Sequence, residues 1–232
     1  MRSISIFLML AVMAMAAAQD KAQQPALIVT GSAEAKVIPD HAIVRLGVVA
    51  RGDLASPAQT RANEVMQKLI KALAVLKIEK EDIQTSNLSL QPVYDNQPRD
   101  IPKIVGYEAR NTVSVRVPKL DLIGKVIDAG ITAGANNVEG VFFGLGDDAQ
   151  AKLVALRDAV TAARAKAKAM ADAAGVELLG IQEIIEGGAM TIPPPMMEGR
   201  MMMAKDASTP IEPGQVTISA TVTIRYLIRQ KG

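Results

Sequence analysis

Leu27, Val29, Gly31, Ala33, Ala35 and Val37 alternate with Ile28, Thr30, Ser32, Glu34 and Lys36. A period of two marks a half-buried strand, because successive side chains on an extended backbone point to opposite faces. Pro39-Asp40 breaks the run. A second strand follows, with Ala42, Val44, Leu46 and Val48 on one face. Its other face sets Ile43 and Val49 beside Arg45, so that face is only partly wet. From Ser56 the period lengthens to that of a helix. Ala58, Ala62, Val65, Met66, Leu69, Ile70, Leu73 and Leu76 form an apolar stripe, and Arg61, Glu64, Gln67, Lys68 and Lys71 form the wet side. Ser56 as N-cap, Pro57 at the first helical position and Gln59 closing a capping box predict where it starts.

Ile83 to Val93 reads as a polar-rich strand near a sheet edge, and the proline-bearing stretch from Gln91 to Lys103 as a connection. Val105, Tyr107, Ala109, Val113, Val115 and Val117 then share one strand face, interrupted by Asn111. Leu120, Ile123, Ile127 and Ile131 predict a short helix closed by Gly134. Val138 to Leu145 is a short strand. Asp147 and Asp148 suit the start of the longest helix, since negative charge is favourable at a helix N-terminus. That helix runs to about Ala174 and stops at Gly175, with Ala159, Ala163, Ala167 and Ala171 on its buried side. Ile181 to Ile185 reads as a strand, 187–214 as a long loop, and Val216, Ile218, Ala220, Val222, Ile224, Tyr226 and Ile228 as one face of a last strand.

These elements predict an α+β fold: antiparallel sheet or sheets with amphipathic helices packed on one face. Thr112 to Val117 and Thr221 to Tyr226 match in pattern, and Ile83-Gln84 matches Ile181-Gln182. The similarity suggests two β-α-β-β units, 26–118 and 137–232, linked by the helix at 119–134. Two such units can share one sheet or form two lobes.

Composition narrows the function. Arg2, the apolar run Ile4 to Met15 and Ala16-Ala17-Ala18 have the form of a cleaved export signal, 1–18, followed by a flexible lead, 19–25. The run is too short for a span of about 20 residues, so no membrane span is expected in the mature chain. The formal charge is +2, or +1 once Arg2 is removed, which gives no pull toward nucleic acid. There is no cysteine and no tryptophan. Disulfides, zinc-thiolate sites and thiol catalysis are therefore excluded. The core has to be aliphatic.

Val29-Thr30-Gly31 with Pro39-Asp40, Asp82-Ile83-Gln84-Thr85-Ser86 with Pro92-Val93-Tyr94, Gly106-Tyr107 with Asn111 and Val113, Gly134-Ala135-Asn136, and the alanine-rich helix closed by Ala174-Gly175 occur in this order. Over 26–232 the chain resembles the SIMPL-domain family of exported bacterial proteins, which includes a periplasmic immunogenic antigen. Lys77 stands where the family's helix-ending glycine is expected. The resemblance implies an α+β fold, a periplasmic or cell-envelope location, homo-oligomers in some members, and a role linked to envelope or oxidative stress. It carries no catalytic residue and no cofactor across.

The chemistry on offer is sparse. His41 is the one histidine, so any Ser-His-Asp arrangement must use it; beside Pro39-Asp40 it reads as a solvated turn residue. Gly144-Leu145-Gly146 lacks the rest of a dinucleotide fingerprint and reads as a strand-to-helix turn. Lys152, Arg157, Arg164, Lys166 and Lys168 read as a solvated basic helix side. Six methionines, Met190, Met196, Met197, Met201, Met202 and Met203, share one loop with Pro193-Pro194-Pro195. Thioethers bind Cu(I) and are oxidised to sulfoxides, so Met196, Met197, Met201, Met202 and Met203 are candidates for Cu(I) binding or an oxidant sink; the plainer reading is an adaptable packing loop. The expectation is an exported, non-enzymatic homo-oligomer in the periplasm. Ile28, Ile43 and Val49, on strand faces that should be wet, are its candidate contacts.

Overall fold

The computed structural model describes residues 24–95, 102–192, 209 and 211–231. The expected leader at 1–18 lies outside them. In chain order the elements are β1 (Ala26–Val37), β2 (His41–Gly52), α1 (Ala55–Val75), β3 (Ile83–Tyr94), β4 (Ile104–Val117), α2 (Ile123–Ala133), β5 (Asn137–Gly144), α3 (Ala149–Ala174), β6 (Val176–Ile192) and β7 (Val216–Gln230). The strands form two antiparallel sheets, ordered β3-β4-β2-β5 and β1-β7-β6. The fold is α+β. The chain forms two compact units, one from the described part of 1–33 with 155–189 and the described part of 220–232, the other from 34–154 with the described part of 190–219.

In the second of these, the alternation along β2 and β4 fixes the register. Ala42 lies opposite Val117, Val44 opposite Val115 and Leu46 opposite Val113, so one sheet face is continuously aliphatic. Met66, Leu69 and Leu73 of α1 and Ile123, Val126 and Ile127 of α2 pack onto that face. Burying each such side chain is worth about 1.5–3 kcal/mol. β3 takes the edge, as its polar sequence predicts.

The ends of α1 depart from expectation. It begins at Ala55, with Leu54 as N-cap and no side-chain cap hydrogen bond. Ser56 and Pro57 therefore sit inside the first turn, and the Gln59 amide donates to Asn63 Oδ1 (2.9 Å) instead of closing a capping box. At the other end Lys77 takes φ 59°, the left-handed conformation a glycine would adopt. Its amide bonds the Ala74 carbonyl (3.0 Å) and that of Ile78 bonds Leu73 (3.2 Å). This is the Schellman pattern, with lysine in the glycine position.

In the other unit, Ala155, Ala159, Ala163, Ala167 and Ala171 form the buried stripe of α3. Small residues let helix and sheet approach closely. At Gly31 of β1 a Cβ would collide with the Ala159 carbonyl and stand 2.7 Å from Ala163 Cβ. Along β7 of this unit, Ala220, Val222, Ile224 and Tyr226 form one buried face.

Strand order gives the internal similarity a counterpart. Thr112 to Val117 lies on β4 and Thr221 to Tyr226 on β7, each next to the strand that follows a helix, β3 and β6. β5 does not join β6 and β7. It pairs with β2, and β1 occupies the third place beside β7. β6 is also longer than predicted. Gly187 and Gly188, read as the start of a loop, lie within it, and Gly188 takes φ 92°, which glycine adopts freely.

Candidate assembly surface

Several of the polar groups singled out in the sequence are committed to structure, His41 first among them. His41 is not a solvated turn residue: its side chain is 12% exposed, and Nδ1 lies 2.6 Å from Asp40 Oδ1. The ring packs on Gly144, where a Cβ would stand 3.0 Å from both Cε1 and Nε2. Asp40 also accepts the Gly146 amide at 2.9 and 3.0 Å. The His41 hydrogen bond first, and the Gly146 amide next, hold the Asp40 carboxyl below the usual carboxylate range. The pair resembles the orienting half of a triad, but the Nε2 side of the ring meets a residue without a side chain where a nucleophile would have to stand. Its effect is to tie the start of β2 to the end of β5.

Gly144-Leu145-Gly146 is the strand-to-helix turn before α3, where Asp147 Oδ1 accepts the Ala149 amide at 2.9 Å. On α3, Lys152 pairs with Asp148 (2.9 Å) and Lys166 Nζ donates to the Thr30 carbonyl (2.5 Å). Arg157, Arg164 and Lys168 are exposed. A cleft of about 410 Å³ beside the start of α1 holds Arg51, Asp53, Arg61 and Tyr107. Both guanidinium groups are engaged: Arg51 with Glu108 (2.9 Å) and Arg61 with the Arg51 carbonyl (2.8 Å). Arg51, and then Arg110, lower the Glu108 pKa. Met196, Met197, Met201, Met202 and Met203 lie outside the described residues. Met190, at the end of β6, is exposed. Among the described residues no group of three or more His, Asp or Glu side chains is placed to hold a metal.

What the structure leaves open is aliphatic. In the three-stranded sheet the stripe of α3 covers the β1 face that carries Gly31. On β6, Glu177 bonds Arg229 of β7 (2.6 Å), which puts both on one sheet face. Strand alternation places Leu179, Ile181 and Ile185 on the same face as Glu177. All three are exposed, and so is Ile184, which points the other way. Ile28 of β1 is 53% exposed, as expected of a contact residue. Ile43 and Val49 differ: both are half-buried, and Val49 has its backbone amide and carbonyl clamped by the Asn136 amide group at 2.8 and 2.9 Å. Sequence reasoning missed β6 as the main open element. The signal was there in Leu178, Leu179, Ile181, Ile184 and Ile185, which put apolar residues on both faces of one strand.

A two-sheet α+β architecture, with an alanine-faced helix on one sheet and no assembled catalytic constellation among the described residues, is the class of protein at hand. Residues 27–226 match the SIMPL family, described as a protein of unknown function (DUF541), and the chain belongs to that family. It is similar to the 26 kDa periplasmic immunogenic protein of Brucella melitensis, with 35% identity over 217 residues, covering 89% of this chain and 86% of that protein. The Brucella abortus protein of the same name matches equally. The uncharacterized protein YggE of Escherichia coli is 33% identical over 122 residues, 52% of this chain and 49% of that one. Like the Brucella proteins, this chain is periplasmic. No helix among the described residues is long and apolar enough to cross a membrane.

Proposed function

We propose that the protein is a non-enzymatic homo-oligomer of the periplasm, an envelope assembly linked to envelope or oxidative stress. One observation carries the reading. The sheet β1-β7-β6 exposes Ile28, Leu179, Ile181 and Ile185, and β6 adds a free strand edge among the described residues. Exposed aliphatic side chains and an open edge both favour association, because water is released from the first and backbone groups find partners at the second. The commitment of His41, Arg51 and Arg61 to internal bonds supports a structural role for the groups that an enzyme would otherwise recruit. The stress link rests on the family resemblance.

Size-exclusion chromatography with light scattering on the mature chain tests the assembly. A multi-subunit mass at micromolar concentration is expected; a monomer there contradicts it. The exposure of Met190, at the entrance to the methionine-rich stretch, favours a second reading in which that stretch consumes oxidant or binds Cu(I). Replacing Met196, Met197, Met201, Met202 and Met203 by leucine should then abolish protection with the fold intact. Protection that survives the replacement removes the idea.

A further inference from the structure

Each sheet has two edges, and three of the four carry devices that discourage strand addition. On β1, the Lys166 ammonium sits on the Thr30 carbonyl. On β3, the register shifts between Thr85 and Asn87 and leaves Ser86 as a bulge. β5 is short, with eight residues, and its register against β2 slips by one beside Gly140. Lysines, bulges and short edge strands are the usual means of blunting an edge. β6 is the longest strand, with 17 residues, and contains no Lys, Arg or Pro. An open edge needs a partner with an open edge, and within this chain's described residues only β6 offers one.

We infer that β6 pairs antiparallel with β6 of a second copy about a two-fold axis through Gln182, joining two three-stranded sheets into one of six strands. The inference rests on the homo-oligomer reading above and names its contact. In an antiparallel pair, directly opposed residues share a face, so a two-fold normal to the sheet has to pass through a residue. Centred on Gln182, Leu179 faces Ile185 on both sides of the axis, Gly180 faces Ile184, and Glu177 faces Gly187. No glutamate faces another. A shift of the centre to Glu183 sets that carboxylate against its own copy; on the face of Leu179, a shift to Ile181 replaces both Leu179–Ile185 pairs by Leu179–Glu183 and Glu177–Ile185, whereas the Gln182 register sets only Ile181 against Glu183. Like charges directly opposed destabilise a strand pair, and matched aliphatic pairs stabilise it.

The chain has no cysteine, so each single substitution supplies its only thiol. Gln182→Cys should form a covalent dimer under mild oxidation at low protein concentration, because residues on the axis face their own copies with Cβ atoms about 4.5–5.5 Å apart. Leu178→Cys should not, since its copy lies eight rows away, about 27 Å at the rise of a strand. Circular dichroism confirms that each variant is folded. Ile185→Lys, at an exposed position, should move the wild-type mass to that of a monomer without changing the spectrum. If light scattering shows an oligomer but Gln182→Cys does not cross-link, or Ile185→Lys leaves the mass unchanged, the β6 contact is wrong and assembly stands. If wild type is a monomer, both readings fall.

Discussion

Lys77 shows how far a single side chain can depart from what its backbone asks. It occupies the C′ position of α1 at φ 59°, where L residues pay a steric penalty of about 1–2 kcal/mol. Lys77→Gly should therefore stabilise the protein by about 1 kcal/mol, after the added entropy of the unfolded chain is set against the relief. A denaturant midpoint shifted upward at unchanged slope is the expected result. Glu108 makes a different case. Arg51 and Arg110 keep its folded-state pKa below its unfolded one. That sign means its contribution is fully present above the ordinary glutamate value and is lost as pH falls below about 4.3. Thermal melts of wild type should decline through that window more steeply than those of Glu108→Gln. Parallel declines would show that the pair, whose Arg51 side chain is 75% exposed, contributes nothing measurable.

At the scale of elements, legibility followed one-sidedness. β1, β2, β4, β7 and α2 each bury one face, so their period appears in the sequence and their burial agrees with it. α1 was found for the same reason, but its start was not: Ser56-Pro57 has the form of a cap, and the chain enters the helix two residues earlier. β6 was cut short because apolar residues fall on both its faces and Gly187-Gly188 resembles a break. Period two also says that a face is buried without saying in which sheet. That is why the places of β1 and β5, in separate sheets, could not be read from pattern. The contact of α3 with β1 gives a direct test. Gly31→Val should destabilise by at least about 1–3 kcal/mol, because the collision is with helix backbone that has little freedom to move. Leu69→Ala, in the core under the four-stranded sheet, should cost about 2–5 kcal/mol. Equal stability of either variant with wild type, by chemical denaturation, would contradict the packing described.

At the scale of the whole molecule, apolar surface is left without cover on one of the two sheets. The four-stranded sheet has its aliphatic face closed by α1 and α2, whereas the β1-β7-β6 sheet keeps Ile28, Leu179, Ile181 and Ile185 in water. A chain without disulfides cannot stiffen such a surface by cross-linking; the proposed β6 pairing would set Leu179 of one copy against Ile185 of the other. Of the candidate contacts, Ile28 was legible in the sequence as an apolar residue on a wet face. Those of β6 showed only as apolar residues on both faces of one strand, a pattern that a buried strand and an assembling strand share. Native mass spectrometry of residues 19–232 of the wild type beside Leu179→Lys/Ile185→Lys is the most direct measurement. The account predicts multi-subunit ions for wild type and single-chain ions for the variant, with both proteins folded; wild-type ions of one chain only, or a variant that assembles as wild type does, would contradict it.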